Sequence, residues 1–270
     1  MPNDPLLWPP HRLGISSWVW GSDYYNGRFS LLDFPTRAAT HHISLLECND
    51  FMLPPPRFSR IARPLHHLIP HANPELWRYR RATLKQLKHE IDRHQQTCLC
   101  WTMNTDFSRF GLAKWANRYY QSWGRQAVEI LGAQRLRIIA GGANDAQLTP
   151  QTATTMARFI REMLDQTTLE MIVFENHWGL STNIIQHMTL YTAVRQQLNP
   201  ADQSKFWLCL DPQNIPNEID KQQAWQQMAG YTRHVHIKNG TAEFTDFLTQ
   251  IAYQNMVVIE DAQLLSSLPS

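Results

Sequence analysis

The chain has 270 residues, 43% of them hydrophobic and 18% charged, and a formal net charge of +2. That length suits one domain the size of a β/α barrel, about 250 residues. The balanced charge excludes the concentrated basic face of a dedicated nucleic-acid or membrane-surface protein. No apolar run approaches the ~20 residues that cross a bilayer. The opening MPNDPLLWPPHRLG lacks a charged segment followed by an apolar one, so no signal peptide is read and a cytoplasmic location is expected. Cys48, Cys98, Cys100 and Cys209 fit that compartment as small buried hydrophobes, and C-x-C is neither a zinc-ribbon nor a thioredoxin spacing.

In chain order, eight strand-like runs alternate with helical patterns. Residues 12–21 (RLGISSWVWG) form the first run, followed by an aromatic loop with Tyr24, Tyr25 and Phe29. The others span 42–50, 97–108, 135–142, 169–179, 205–214, 231–240 and 255–262. Several are near-continuous apolar stretches, as expected of parallel strands covered on both faces. The first intervening helix must fit within 31–40. Asn73 and Pro74 open a second, continued by Leu84, Leu87 and Ile91. Residues 109–131 carry Ala116, Trp123, Ala127 and Ile130 and stop at Gly132. Thr149–Pro150 opens the next, with Ala153, Met156, Ile160 and Met163 on one face. Ser181 is read as the cap of a helix containing Ile184, Met188 and Leu198. Residues 217–230 and 241–253 supply two more, the latter with Phe244, Phe247, Leu248 and Ile251.

This alternation predicts a single-domain, parallel eight-stranded (β/α)8 TIM barrel over 1–270, with a doubly wound open sheet as the alternative. A Pro- and His-rich insertion, 51–73, follows strand two. A long loop there lies on the catalytic face, where a lid or substrate wall is expected, with a surface excursion held by proline as the alternative.

Four late strands end in potential metal ligands: Glu175 in MIVFE, Asp211 in FWLCLD, His236 in RHVHIK and Glu260 in NMVVIE. They lie 36, 25 and 24 residues apart, about one strand plus one helix each. Side chains at the C-terminal strand ends of a barrel converge on its mouth. Three carboxylates and an imidazole make a mixed oxygen and nitrogen site for one divalent ion, Mn²⁺, Mg²⁺, Co²⁺ or Zn²⁺.

The words around these residues resemble the sugar phosphate isomerase/epimerase superfamily, the xylose isomerase-like TIM barrels that also include AP endonuclease family 2-like proteins. FENHWGLS (174–181) is similar to that superfamily's E-N-H-G-G-L-S signature. LDPQN (210–214), HVHIKN (234–239) and VVIED (257–261) resemble its words after strands six, seven and eight. LGISSW (13–18) and NTDFS (104–108) resemble its first- and third-strand words. The resemblance implies that Glu175, Asp211, His236 and Glu260 are the metal ligands. It further implies that Glu175 and Glu260 move protons on a sugar or related polyol through a metal-stabilised enediolate. The chain departs from the pattern at Trp178, where Gly is common, at Asn214, where ketose epimerases carry a substrate-binding His, and at Asn239, where Asp is frequent.

Other polar residues have two readings each. His177, Asn214, Lys238 and Glu47 are candidates for substrate contact. For Glu47 an ion pair with Arg137 is the alternative, and Arg137 is expected to pair with a barrel carboxylate. His234, one layer deeper than His236, is read as a supporting partner rather than a ligand. Trp18, Trp20 and the His66–His67 pair are candidate pocket walls, with packing as the alternative. The leading function is a metal-dependent isomerase or epimerase of a small carbohydrate-like molecule; a homo-oligomer is compatible with it. A metal-dependent dehydratase of a cyclic keto-polyol on the same site is the second reading, and a non-catalytic barrel the third. An abasic-site endonuclease is disfavoured, because the additional histidines of its three-metal cluster are missing at the ends of strands three and six.

Overall fold

The computed structural model describes residues 8–54, 80–108, 113–143, 146–216, 221–238 and 242–266, with backbone alone at 113–116. Eight parallel strands close into a barrel in sequence order: β1 (Leu13–Ser16), β2 (Leu45–Asn49), β3 (Thr97–Thr102), β4 (Arg135–Ile138), β5 (Met171–Glu175), β6 (Phe206–Leu210), β7 (Thr232–Ile237) and β8 (Met256–Ile259). Closure is made by β1 against β8, with Leu13 opposite Val257 and Ile15 opposite Ile259. The expected barrel is therefore observed, and the open-sheet alternative falls. The strands are shorter than the apolar runs because the ends of those runs become loops on the catalytic face.

The helices on the outside are α1 (Gly21–Tyr25), α2 (Phe34–Ala39), α3 (Arg81–Arg93), α4 (Ala113–Leu131), α5 (Pro150–Asp165), α6 (Ile184–Arg195), α7 (Pro200–Gln203), α8 (Lys221–Ala229), α9 (Ala242–Gln250) and α10 (Ala262–Leu265). The apolar stripes explain which faces are buried. In α3, Leu84, Leu87 and Ile91 are buried; in α5, Met156, Ile160 and Met163 are. Each such side chain contributes about 1.5–3 kcal/mol by leaving water. Thr149 caps α5, its hydroxyl accepting from the Thr152 N–H. Gly132 ends α4 at φ +67°.

Three expectations are corrected. The cap of α6 is Asn183, whose side chain accepts from the Gln186 N–H; Ser181 is buried two residues earlier. Leu198 lies beyond that helix, in the following turn. Ile251 is exposed just after α9, because the chain turns there before the apolar face comes round again. The Asn73–Pro74 helix start and residues 55–73 of the insertion lie outside the described residues. Of that insertion's beginning, Phe51 lines the barrel mouth and Met52 and Leu53 are buried.

Two pairings contain a register shift, β6–β7 between Leu208 and Cys209, and β2–β3. The β2–β3 pairing slips between Leu46 and Glu47, leaving Leu99 without an opposite partner. A bulge of this kind re-aims neighbouring side chains. Leu99 and Cys100, adjacent in sequence, consequently pack in one cluster with Met256 and Val258. Leu45 and Val258 share strand faces with Glu47 and Glu260. This apolar plug thus underlies the charged layer. All four cysteines are buried and free.

Candidate metal centre

Glu175 is the last residue of β5, Asp211 follows β6, His236 is next to last in β7, and Glu260 follows β8. His236 is the hub. Its Nδ1 lies 3.2 Å from Glu175 Oε1, 3.5 Å from Glu260 Oε2 and 3.8 Å from Asp211 Oδ2. Glu175, Asp211 and His236 offer donor atoms all within 4.8 Å of one another, and Glu260 joins His236 in a second such group with Glu47. The four strand-end residues are therefore brought together.

Neighbouring groups hold them in place. Asn176 ties the end of β5 to that of β6: its Nδ2 donates to Asp211 O, and its Oδ1 accepts from the Asp211 N–H, both at 2.8 Å. Arg137, buried in β4, sets Nη1 2.9 Å from Glu175 Oε2 as an ion pair. The guanidinium is placed in turn by Asn49, whose Oδ1 accepts from Arg137 Nη2 at 3.3 Å and from Thr102 Oγ1 at 2.8 Å. Asn49 Nδ2 donates to Ser16 and Ser17. Lys238 Nζ lies 2.5 Å from Asp211 Oδ2 and 3.3 Å from Glu260 Oε2.

Glu47 is not at the cavity surface as expected, nor does it form the closest pair with Arg137, which goes to Glu175. Its buried carboxylate lies 2.8 Å from His234 Nε2 and 3.2 Å from His236 Nε2. The reason is its place one layer below the mouth, where Asn49, two residues further along β2, lines the cavity instead. A carboxylate on the far nitrogen of an imidazole fixes which nitrogen faces outward. His234 has the supporting position read from its spacing.

A cavity of about 380 Å³ opens above this cluster, lined by Arg137, Glu175, His177, Asn214, Lys238 and Glu260 together with Asn49, Asn104 and an aromatic rim. His177, Asn214 and Lys238 are thus at the cavity as expected. Asn214 Nδ2 reaches Glu175 Oε1 at 3.4 Å. His177 Nδ1 accepts from the Trp178 N–H at 2.9 Å. Burial lowers the His177 pKa, so the ring is neutral with its proton on Nε2, a donor for a ligand oxygen. Trp18 lines the cavity, whereas Trp20 packs on Phe29 and Phe34; His66 and His67 lie outside the described residues. Asn49, Asn104 and Asn176 were not singled out as site residues from the sequence. Each stands at or just past a strand end, and Asn104 and Asn176 also fall within the words NTDFS and FENHWGLS.

The electrostatics separate the two glutamates. Burial raises the pKa of both. At Glu175 the Arg137 guanidinium, His177 and His236 outweigh burial and hold the carboxyl well below the usual range. At Glu260 burial outweighs His236 and Lys238, and the pKa is raised.

The chemistry of the donor set fits a divalent ion. Four carboxylates (Glu47, Glu175, Asp211 and Glu260) face two permanent cations, Arg137 and Lys238, across this buried floor. Burial lowers the His236 pKa, but Cys209, Glu260, Glu47 and Asp211 together raise it well above the usual imidazole value, so the floor carries one excess negative charge, and a divalent ion held at Nδ1 would take the place of the imidazole proton. The oxygen and imidazole donors, with no thiolate among the four strand ends, suit Mn²⁺, Mg²⁺, Co²⁺ or Zn²⁺.

Many solved structures share this architecture, among them xylose isomerase-like barrels, epimerases, a dehydratase and an AP endonuclease of family 2. The fold is a (β/α)8 TIM barrel, similar to those structures. The probable 3-DHS dehydratase AsbF from Bacillus anthracis superposes with a TM-score of 0.66 at 10% identity, covering 95% of this chain and 96% of that one. D-allulose 3-epimerase from Methylomonas sp. gives 0.63 at 15%, over 93% and 83%. The IOLI protein, with a bound zinc atom, gives 0.61 at 11%, over 95% of each. No family model matches the sequence, and no curated protein does. Among the described residues no helix is long and apolar enough to cross a membrane.

Proposed function

We propose that the protein is a divalent-metal-dependent isomerase or epimerase of a sugar or related polyol. The observation that carries this is the convergence of Glu175, Asp211 and His236 within 4.8 Å, with Glu260 beside them, at the C-terminal mouth of the barrel. Glu175, Asp211, His236 and Glu260 would hold the ion, which when bound supplies Lewis acidity to adjacent substrate oxygens. Glu260, the more basic carboxylate, takes a proton from the carbon next to the substrate carbonyl. Glu175, from another strand, is the candidate second proton carrier. His177, Asn214 and Lys238 orient the substrate hydroxyls at the cavity wall. The likeness to an epimerase and to a zinc-bound barrel supports the fold's suitability for this chemistry.

A dehydratase is the second reading, and the Arg137 clamp favours it. Glu175 Oε2 is committed to a guanidinium, which makes that carboxylate a poor proton donor. Elimination of a β-hydroxyl can run on one carboxylate: Glu260 takes the proton from carbon and, now the acid, passes it to the β-hydroxyl, which leaves as water while the C=C bond forms. Calorimetric titration with Mn²⁺ tests the shared premise: one ion binds the native protein, and Asp211→Asn removes measurable binding. Absence of binding to the native protein overturns both readings. Incubating the metal-loaded protein with keto-polyols in D₂O then separates them. An isomeric sugar carrying deuterium marks an isomerase, and a new C=C absorbance marks a lyase.

A further inference from the structure

Six large hydrophobic side chains are exposed among the described residues: Trp18, Tyr25, Trp178, Ile185, Tyr231 and Ile251. Single exposed hydrophobics are ordinary, but a cluster at the edge of a polar cavity marks a binding surface. Trp18, Tyr25 and Trp178, at 36%, 73% and 42% exposure, all line the cavity above the metal centre, with Phe51 beside them. They come from separate segments. Trp18 lies on the turn after β1, Tyr25 ends α1, Phe51 follows β2 and Trp178 follows β5. The aromatic rim therefore meets the cavity from the β1–β2 side and from the β5 side.

The rim is positioned rather than loose. Trp18 packs edge-on against Tyr25 at 6.2 Å and Phe51 at 5.8 Å between ring centroids. Its ring also covers Gly21, where a Cβ would come within 3.2 Å of it. Trp178 stands perpendicular to His177 at 4.2 Å, which joins the rim to the polar floor. The rim residues carry no charge, and the cavity's two permanent cations, Arg137 and Lys238, already lie against Glu175, Asp211 and Glu260. Among the described residues, the rim therefore matches an uncharged ring with a flat apolar face.

We propose that the rim is a second subsite, and that the substrate is a glycoside: a reacting ring at the floor linked to a second, neutral ring that rests on Trp18, Tyr25 and Trp178. This rests on the polyol reading of the floor. The test is calorimetric binding of methyl β-D-glucoside, 4-nitrophenyl β-D-glucoside and cellobiose to the protein in buffer containing Mn²⁺. The ring-bearing glycosides are expected to bind about 3- to 10-fold more tightly than the methyl glycoside, the range of a stacking contact. Trp18→Ala and Tyr25→Ala should each erode that gain and leave methyl glycoside binding unchanged. Trp18→Phe should retain part of it, and Tyr231→Ala, at the opposite end of the barrel, all of it. A larger gain for the 4-nitrophenyl compound assigns the rim to an aryl group, and a larger gain for cellobiose to a second sugar. Equal affinities, a gain that survives Trp18→Ala with Tyr25→Ala, or no binding of any of the three overturns the proposal. Failure of the metal reading shows separately, as absence of Mn²⁺ binding to the same protein.

Discussion

Glu47 works through His236 rather than on a ligand, since its carboxylate faces the imidazole nitrogens from below. Glu47→Gln should therefore leave the four candidate ligands in place but weaken Mn²⁺ binding 10- to 100-fold, the usual cost of losing such a partner. Calorimetry reads this directly; an unchanged affinity would separate Glu47 from the metal centre. His187, on α6, poses a different residue-scale problem. It is buried, stacks on Phe174 with centroids 4.2 Å apart, and neither ring nitrogen has a hydrogen-bond partner among the described residues. Burial pushes its pKa down to about 3. In the unfolded chain an imidazole titrates near 6.5, so on acidification the unfolded state takes up the proton first. The contribution to stability is full above pH ~6.5 and is lost as pH falls toward 3, at about 1.4 kcal/mol per pH unit. His187→Phe should flatten this part of the pH dependence. Denaturant midpoints at pH 7, 5.5 and 4.5 check it, and parallel curves for variant and native protein would refute it.

At the scale of elements, the loops after β4 and β5 are pinned together by backbone alone. Gly141 and Gly179 form an isolated bridge, and the Leu180 N–H donates to Gly141 O at 3.0 Å. Gly179 has φ +69°, and a Cβ there would collide with Gly141 O and Gly142 O. Gly179→Ala is expected to destabilise by more than about 1 kcal/mol, because strain and collision act together. It should also disturb His177 and Trp178, which precede it. A thermal melt that shows no loss would mean that the loops separate freely. The bulge at Leu99 is the second element-level device. It advances β3 by one residue against β2, so that Cys100 rather than Leu99 stands opposite Glu47.

For the whole molecule, barrel closure is what makes a centre from residues 85 positions apart in the chain. Glu175 and Glu260 become neighbours of one imidazole only because β5 to β8 are consecutive staves. An ion bound there stabilises the folded state alone. At 100 times its dissociation constant it should add about 2.7 kcal/mol and raise Tm by roughly 5 °C over protein in chelator. A melt insensitive to EDTA and to Mn²⁺ would argue for a barrel without a metal.

Taken alone, the chain's period and order determined the eight strand–helix units, because each apolar run and stripe is a local pattern. They also determined the four strand-end residues, because one strand plus one helix returns a side chain to the same rim. His234 as a supporting residue was legible from its two-residue offset. Which carboxylate partners which base was not. Arg137 meets Glu175 because β4 and β5 are adjacent strands in a register that sets Arg137 opposite Val173, two residues before Glu175, and that register leaves no local trace. Asn176 was hidden in the same way: its double bond to Asp211 links positions 35 apart, and an Asn at a strand end looks like any loop residue. The aromatic rim is the clearest case. Trp18 was a candidate pocket wall in sequence and Tyr25 one member of an aromatic loop, but only the tertiary structure, by leaving both unburied beside Trp178, decided that they line one cavity.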